Sequence, residues 1–266
     1  MIIDTHSHYD DDAFDEDRGE LLSSLQEAGI QKAITVCASV ESLESAPALA
    51  EAYPFLYLGA GIHPDDAGKV SSEVIEKIHA LAKLPKTVVI GEIGLDYYWH
   101  KEEAEHRIQQ GVFAAQMEIA KEEGLPFMVH SRDACQDTLR MCREAIARGG
   151  EPGIIHCYSY SWEAAKEFLA MGFYLGIGGV VTYKNGRKLK EVVEKAPLTQ
   201  LLLETDCPYL SPVPFRGKRN SSRYLPYVVE EIAALKGISK EEVEKTTWAN
   251  AHRIMPKLGN TPEGKA

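Results

Sequence analysis

The chain has 266 residues, 44% hydrophobic and 26% charged, which supplies a large core under a polar surface and excludes disorder. Its formal charge of −11 excludes a protein that coats nucleic acid non-specifically, since such binding rests on neutralised phosphates. It does not exclude an enzyme, because bound cations and a local basic rim can set the field at a site. Met1-Ile2-Ile3-Asp4 lacks a basic leader, and the longest uncharged stretch, residues 168–183, is too short to cross a bilayer. Neither a secretory signal nor a membrane span is expected. Five cysteines without CxxC spacing point to reduced thiols, and the chain is expected to be cytoplasmic.

Taken in chain order, short runs rich in Val, Ile, Leu or Phe read as strands at 2–8, 33–38, 56–63, 87–92, 126–130, 153–156, 173–178 and 201–206. Helical periods lie between and after them. Ile108, Val112, Ala115 and Ile119 form one core-facing stripe, and Leu225, Val228, Val229, Ile232 and Leu235 another. Asp133 with Gln136 and Ser239 with Glu242 have the form of capping boxes. Alternating strands and helices leave two architectures, a closed barrel or a doubly wound sheet, both with ligand sites at the carboxyl ends of the strands. No glycine-rich phosphate loop follows the first strand, so a single-domain α/β fold, the (β/α)8 TIM barrel, is expected over residues 1–255. Residues 256–266 read as a flexible C-terminal tail.

Polar residues recur where these runs end. The first closes on His6-Ser7-His8, whose alternate residues point to one face. Glu92, His130, His156 and Asp206 close four others. Strand ends converge at one mouth of a barrel, so residues far apart in sequence become neighbours there. Burying carboxylates and imidazoles together is costly unless a cation compensates. Three or more histidines with carboxylates and no thiolate suit Zn²⁺ or Mn²⁺, with Mg²⁺ admitted by the oxygen ligands. Six ligands are too many for one catalytic metal that keeps an open position; two divalent ions sharing a carboxylate fit better.

The runs IIDTHSH, GEIGLDYY, MVHSRDA, IIHCYS and LLLETDCPYL, in this order, resemble the TatD family of metal-dependent deoxyribonucleases within the amidohydrolase superfamily of TIM-barrel hydrolases. The resemblance covers residues 2–255. It implies that His6, His8, Glu92 and Asp206 hold one metal, and that Glu92, His130 and His156 hold the second, with Glu92 bridging. In many relatives of the superfamily a carboxylated lysine bridges; Glu92 on the fourth strand makes that modification unnecessary. Asp206 and Glu92 are the residues expected to carry catalysis, Asp206 by accepting the proton of the attacking water. Asp96 and Glu204 are expected to orient ligands.

After the last strand, residues 214–224 carry four cations and no acid in an acidic chain. Arg216, Lys218, Arg219 and Asn220 are expected to meet substrate there, and His63, which ends the third strand, to sit at the edge of the site. The family carries Glu-Pro where this chain has Ser221-Ser222, and Gly where it has Tyr160. Tyr97, Tyr98, Trp99, Tyr158, Tyr160 and Trp162 gather near the same mouth, with stacking on bases as one use and loop packing as the commoner one. Cys157 and Cys207 adjoin ligands but are expected to be small buried hydrophobes. The expected function is divalent-metal-dependent hydrolysis of phosphodiester bonds in DNA, with RNA also admitted, as a 3′–5′ exonuclease; no membrane and no obligate protein partner are implied. The same activated water serves another electrophile, so removal of D-amino acids from mischarged tRNA, or another ester or amide hydrolysis, is the alternative. A non-catalytic nucleic-acid-binding protein is a third reading, against which the intact ligand set and the net charge weigh.

Overall fold

Runs of branched and leucine side chains, apolar on both faces, favour parallel strands covered by helices. The computed structural model describes residues 1–259. Its strands are β1 (Ile2–Ser7), β2 (Ile30–Val36), β3 (Leu56–Ala60), β4 (Thr87–Asp96), β5 (Phe127–Arg132), β6 (Ile154–Ile155), β7 (Tyr174–Ile177) and β8 (Leu201–Leu203). They pair in chain order and in parallel throughout. The principal helices are α1 (Arg18–Ser23), α2 (Ser42–Ala52), α3 (Ser72–Ala82), α4 (Glu103–Glu122), α5 (Cys135–Ala147), α6 (Trp162–Ala170), α7 (Arg187–Lys195), α8 (Leu225–Lys236) and α9 (Lys240–Ile254). The eight strands form a nearly closed (β/α)8 barrel, as expected. Its seam lies between β1 and the segment after β8, where Ser7 bridges Cys207. The Asp206 amide donates to the His6 carbonyl at 2.9 Å, and the His8 amide to the Cys207 carbonyl at 2.8 Å.

One end of the barrel is stoppered. Ala251, Met255 and Leu258 join Ile3, Val36, Val89, Met128, Ile154 and Leu202 in one apolar cluster. Burying a side chain of this size is worth roughly 1.5–3 kcal/mol. Lys32, in β2, donates to the carbonyls of Leu258 at 2.7 Å and Gly259 at 3.0 Å, and Tyr57 donates to Leu258 at 2.7 Å. Residues 256–258 are therefore a packed turn of helix rather than part of a flexible tail; residues 260–266 lie outside the described residues. No described helix is long and apolar enough to cross a membrane. All five cysteines are free thiols.

Two local expectations differ. The buried face of α4 is Gln109, Phe113, Gln116, Met117, Ile119 and Ala120, whereas Ile108 is 49% exposed. The helix is rotated because two buried amides hold the ends of neighbouring strands. Gln109 donates to the Asp96 carbonyl and accepts from its amide; Gln116 does the same for Ile62. Helix α5 opens at Cys135 with no side-chain cap, so Asp133 and Gln136 form no capping box. Ser239 does cap α9, accepting from the Glu242 amide. The stripe on α8 is buried over Leu225, Val228, Val229 and Ile232.

Candidate metal centre

Each candidate ligand stands where a strand gives way to a loop or close to that point, so the sheet sets its position. The local backbone is bent for it. Asp206 (φ 57°) and Cys157 (φ 44°) occupy the left-handed region, unusual for residues with a side chain and a common mark of functional turns.

His6, His8, His130 and His156 each turn one nitrogen outward and the other toward the centre. His8 Nδ1 lies 3.0 Å from the Val36 carbonyl oxygen, which can only accept. His6 Nδ1 lies 2.8 Å from the Met128 sulfur. His156 Nδ1 lies 3.3 Å from Glu204 Oε1, and His130 Nε2 lies 3.1 Å from Asp96 Oδ2. The acceptors outside His6, His8 and His130 select the tautomer that leaves a lone pair on the inside, the usual way a protein prepares histidine for a metal, whereas His156 Nδ1 makes no hydrogen bond. For His6 and His8 the consequence is direct. Their Nε2 atoms are 3.0 Å apart, and two lone pairs at that distance repel unless a cation or proton lies between them.

Glu92 occupies the centre with its two oxygens facing different groups. Oε2 lies 3.4 Å from His6 Nε2 and 3.7 Å from His8 Nε2. Oε1 lies 2.9 Å from His130 Nδ1, 3.1 Å from His156 Nε2 and 3.9 Å from His63 Nε2. Asp206 Oδ1 completes the first group, 3.3 Å from His8 Nε2 and 3.6 Å from His6 Nε2. Three overlapping sets have ligand atoms within 4.8 Å of one another: His6, His8 and Glu92; His6, His156 and Asp206; His63, Glu92 and His130. The donors, all imidazole or carboxylate, fit Zn²⁺ or Mn²⁺ and admit Mg²⁺.

Charge reinforces the fit. Burial would raise the Glu92 carboxyl, but His156, His6 and His63 hold it well below the usual carboxylate range. Burial also opposes ionisation of Asp206, and its bond to His8 overcomes this. His8 pays a burial penalty, yet Asp206 and Glu92 hold it up at about 9; His130 is held at about 9 by Asp96 and Glu92 against the same penalty. Burial and the neighbouring His130 push His63 down to about 4. The cluster thus balances buried carboxylates with imidazolium protons, and a divalent cation can take that role.

A family model described as TatD related DNase matches residues 3–256. The chain belongs to the TatD family. A relative from Bacillus subtilis, the uncharacterized metal-dependent hydrolase YabD, is 41% identical over 96% of this chain and 98% of its own. The 3′-5′ ssDNA/RNA exonuclease TatD of Cronobacter sakazakii is 34% identical over 92% and 94%. The crystal structure of YjjV, a TatD homologue from Escherichia coli, superposes with a TM-score of 0.88 at 29% identity, over 96% and 98% of the two chains. The chain is a metal-dependent hydrolase of this family.

Of the remaining expected residues of the TatD site, some stand in the cleft and some do not. Asp96 accepts from the amides of Tyr98 and Trp99 at 2.9 Å while facing His130, and burial notwithstanding, the His130 contact draws its carboxyl down to about 2. Glu204 accepts from the Cys157 amide at 2.6 Å beside His156. Gly176 makes room for it, since a Cβ there would lie 2.0 Å from Glu204 Oε2. His63 lines the cleft, edge-on to His130. The basic loop, however, lies outside the cleft. Arg219 pairs with Asp17 and donates to the Ala13 carbonyl; Arg216 stacks over Tyr183; Arg223 reaches Ser24. Asn220 is fully buried and donates to the carbonyls of Thr205 and Tyr209, so it shapes the loop instead of meeting substrate. Neither Arg216, Lys218 nor Arg219 lines the cleft of about 740 Å³ that holds the ligands.

Ser222 has a structural use that its sequence position does not reveal. It donates to Asp4 Oδ2 at 2.6 Å and bonds Tyr9, while Thr205 donates to the same carboxylate at 2.6 Å. This buried network ties β1 to the loop after β8. Burial nevertheless pushes the Asp4 carboxyl up to about 7. Cys207 is buried as expected, but Cys157 forms part of the cleft wall. Tyr97, Tyr158 and Tyr160 are tied by hydrogen bonds to Asp137, Ser161 and Ser131 and serve loop packing.

Proposed function

We propose that this chain removes nucleotides from the 3′ end of single-stranded DNA or RNA by hydrolysing phosphodiester bonds, using two divalent cations. His6, His8, Glu92 and Asp206 would hold one cation, and Glu92, His130 and His156 the other. The observation that carries the reading is Glu92, whose two oxygens face separate histidine groups. When bound, such a pair supplies a nucleophile from water at neutral pH and neutralises charge on the transferring phosphoryl group. Asp206 is the proposed proton acceptor. Its Oδ1 lies toward His6 and His8, and its low-lying carboxyl is free of protons at neutral pH. Asp96 keeps His130 in its tautomer, and Glu204 places a carboxylate beside His156. The substrate class is supported by the Cronobacter relative named as an exonuclease of single strands.

The test uses purified protein with Mg²⁺, Mn²⁺ or Zn²⁺ added back singly, and oligonucleotides labelled at either end. Stepwise shortening from the 3′ end that stops on chelation is expected. Intact oligonucleotides under every metal, alongside release of D-amino acids from charged tRNA, would move the activity to carboxyl esters.

A further inference from the structure

The predicted phosphate contacts lie outside the cleft, which leaves the question of what grips the rest of the substrate. Arg132 ends β5 two residues after His130 and is in register with Asp96 of β4. Among the residues lining the cleft it is the single lysine or arginine, in a surface otherwise built of acids, imidazoles and small or apolar groups. Arg18, Arg140 and Arg219 are tied to Asp15, Asp137 and Asp17. Among the described residues Arg132 has no carboxylate partner; its guanidinium carbon sits 4.0 Å from the Tyr98 ring centroid and 5.6 Å from that of Trp99. A guanidinium lying over a ring face needs none of its N–H donors for that contact, which leaves them for a phosphate.

Trp99 lines the same cleft and is 66% exposed. An exposed tryptophan at the rim of a polar site forgoes burial that the fold could have used, and a base has a matching π-face. The pair is braced rather than loose. One oxygen of Asp96 holds the amides of Tyr98 and Trp99, and the other faces His130. Aromatic rim and candidate metal ligand are therefore set by one carboxylate.

We infer that Arg132 and Trp99 form a nucleotide clamp, Arg132 taking the phosphate next to the scissile one and Trp99 stacking on a base. The inference rests on the exonuclease reading and adds a requirement: the substrate must offer a second phosphate. Metal-loaded wild type, Arg132→Ala, Arg132→Lys, Trp99→Ala and Trp99→Phe would be compared on a single-stranded oligonucleotide and on methyl p-nitrophenyl phosphate, a diester with neither second phosphate nor base. Each alanine variant is expected to lose roughly 5- to 150-fold in oligonucleotide kcat/KM, chiefly through KM, the range of one stacked base. Both should hydrolyse the small diester within about twofold of wild type. Arg132→Lys and Trp99→Phe should recover part of the loss. Binding of a phosphorothioate oligonucleotide should lose about 0.7 from its log–log salt slope in Arg132→Ala and nothing in Trp99→Ala. Alanine variants that match wild type on the oligonucleotide, or lose both substrates equally, overturn the clamp while leaving the exonuclease intact. A wild type that neither binds nor cleaves the oligonucleotide yet hydrolyses the small diester overturns both.

Discussion

At the stoppered end of the barrel, Lys32 buries an ammonium that meets the carbonyls of Leu258 and Gly259 and lies 3.1 Å from His252 Nε2. At the open end, His6, His8, Glu92 and Asp206 also bury polar atoms, but their inward-facing atoms meet one another at 3.0–3.7 Å. Both ends pay desolvation. The first recovers it in hydrogen bonds to fixed acceptors, and the second stores it in an arrangement that only added positive charge relaxes. Polar burial thus serves structure where it is complete within the chain, and chemistry where a partner is still owed.

That contrast can be broken first at the mouth. Replacing Asp206 by Asn should lower hydrolysis by about 10²–10⁴-fold while the thermal midpoint of the metal-free protein stays within a few degrees; unfolding of the variant would make Asp206 a structural residue like Lys32. Gly176→Ala, which drives a methyl into Glu204, should weaken metal affinity by roughly 10–100-fold through His156. Metal titration followed by calorimetry would detect it, and unchanged affinity would show that Glu204 orients nothing.

Protons should compete with metal at this end. His8 and His130 are held at about 9 without metal and must be neutral to ligate. Below that value each displaced proton costs affinity, so metal binding should tighten with rising pH by up to about tenfold per unit per proton. A flat profile between pH 6.5 and 8.5 would mean that these two imidazoles do not bind metal. The smallest effect on turnover belongs to the floor. Lys32→Met removes the donor to the Gly259 carbonyl and one of the two donors to that of Leu258, and should cost about 1–3 kcal/mol of stability, a fall of several degrees in Tm, with kcat unchanged. A large kcat loss there would show that floor and mouth are coupled.

Much of this was legible in the sequence because strand ends are where a barrel exposes side chains. The apolar runs reveal the strands, and the residue that breaks each run faces the mouth, as with His130 after Phe127-Met128-Val129. What stayed hidden depends on partners remote in sequence. The 214–224 loop reads as a phosphate-binding run until Asp17, about two hundred residues away, takes Arg219. Gln109 and Gln116 look solvent-facing until the chain ends they hold are placed beside them. Strand β4 runs on to Asp96 because β5 is there to pair with Gly94, Leu95 and Asp96, although Gly94 by itself suggests a turn. Arg132 sits in plain view in MVHSRDA, but its lack of an acidic partner is a property of the surface alone.

The thin seam gives the two candidate cation positions different mechanical duties. His6 and His8 belong to the first strand and Asp206 to the segment after the last, so an ion among them would rivet the barrel shut where backbone pairing is sparse. One among Glu92, His130 and His156 would join β4 to the end of β6, already laced through β5. Filling the first position should therefore slow amide hydrogen exchange across residues 2–8 and 201–207 far more than filling the second slows it anywhere.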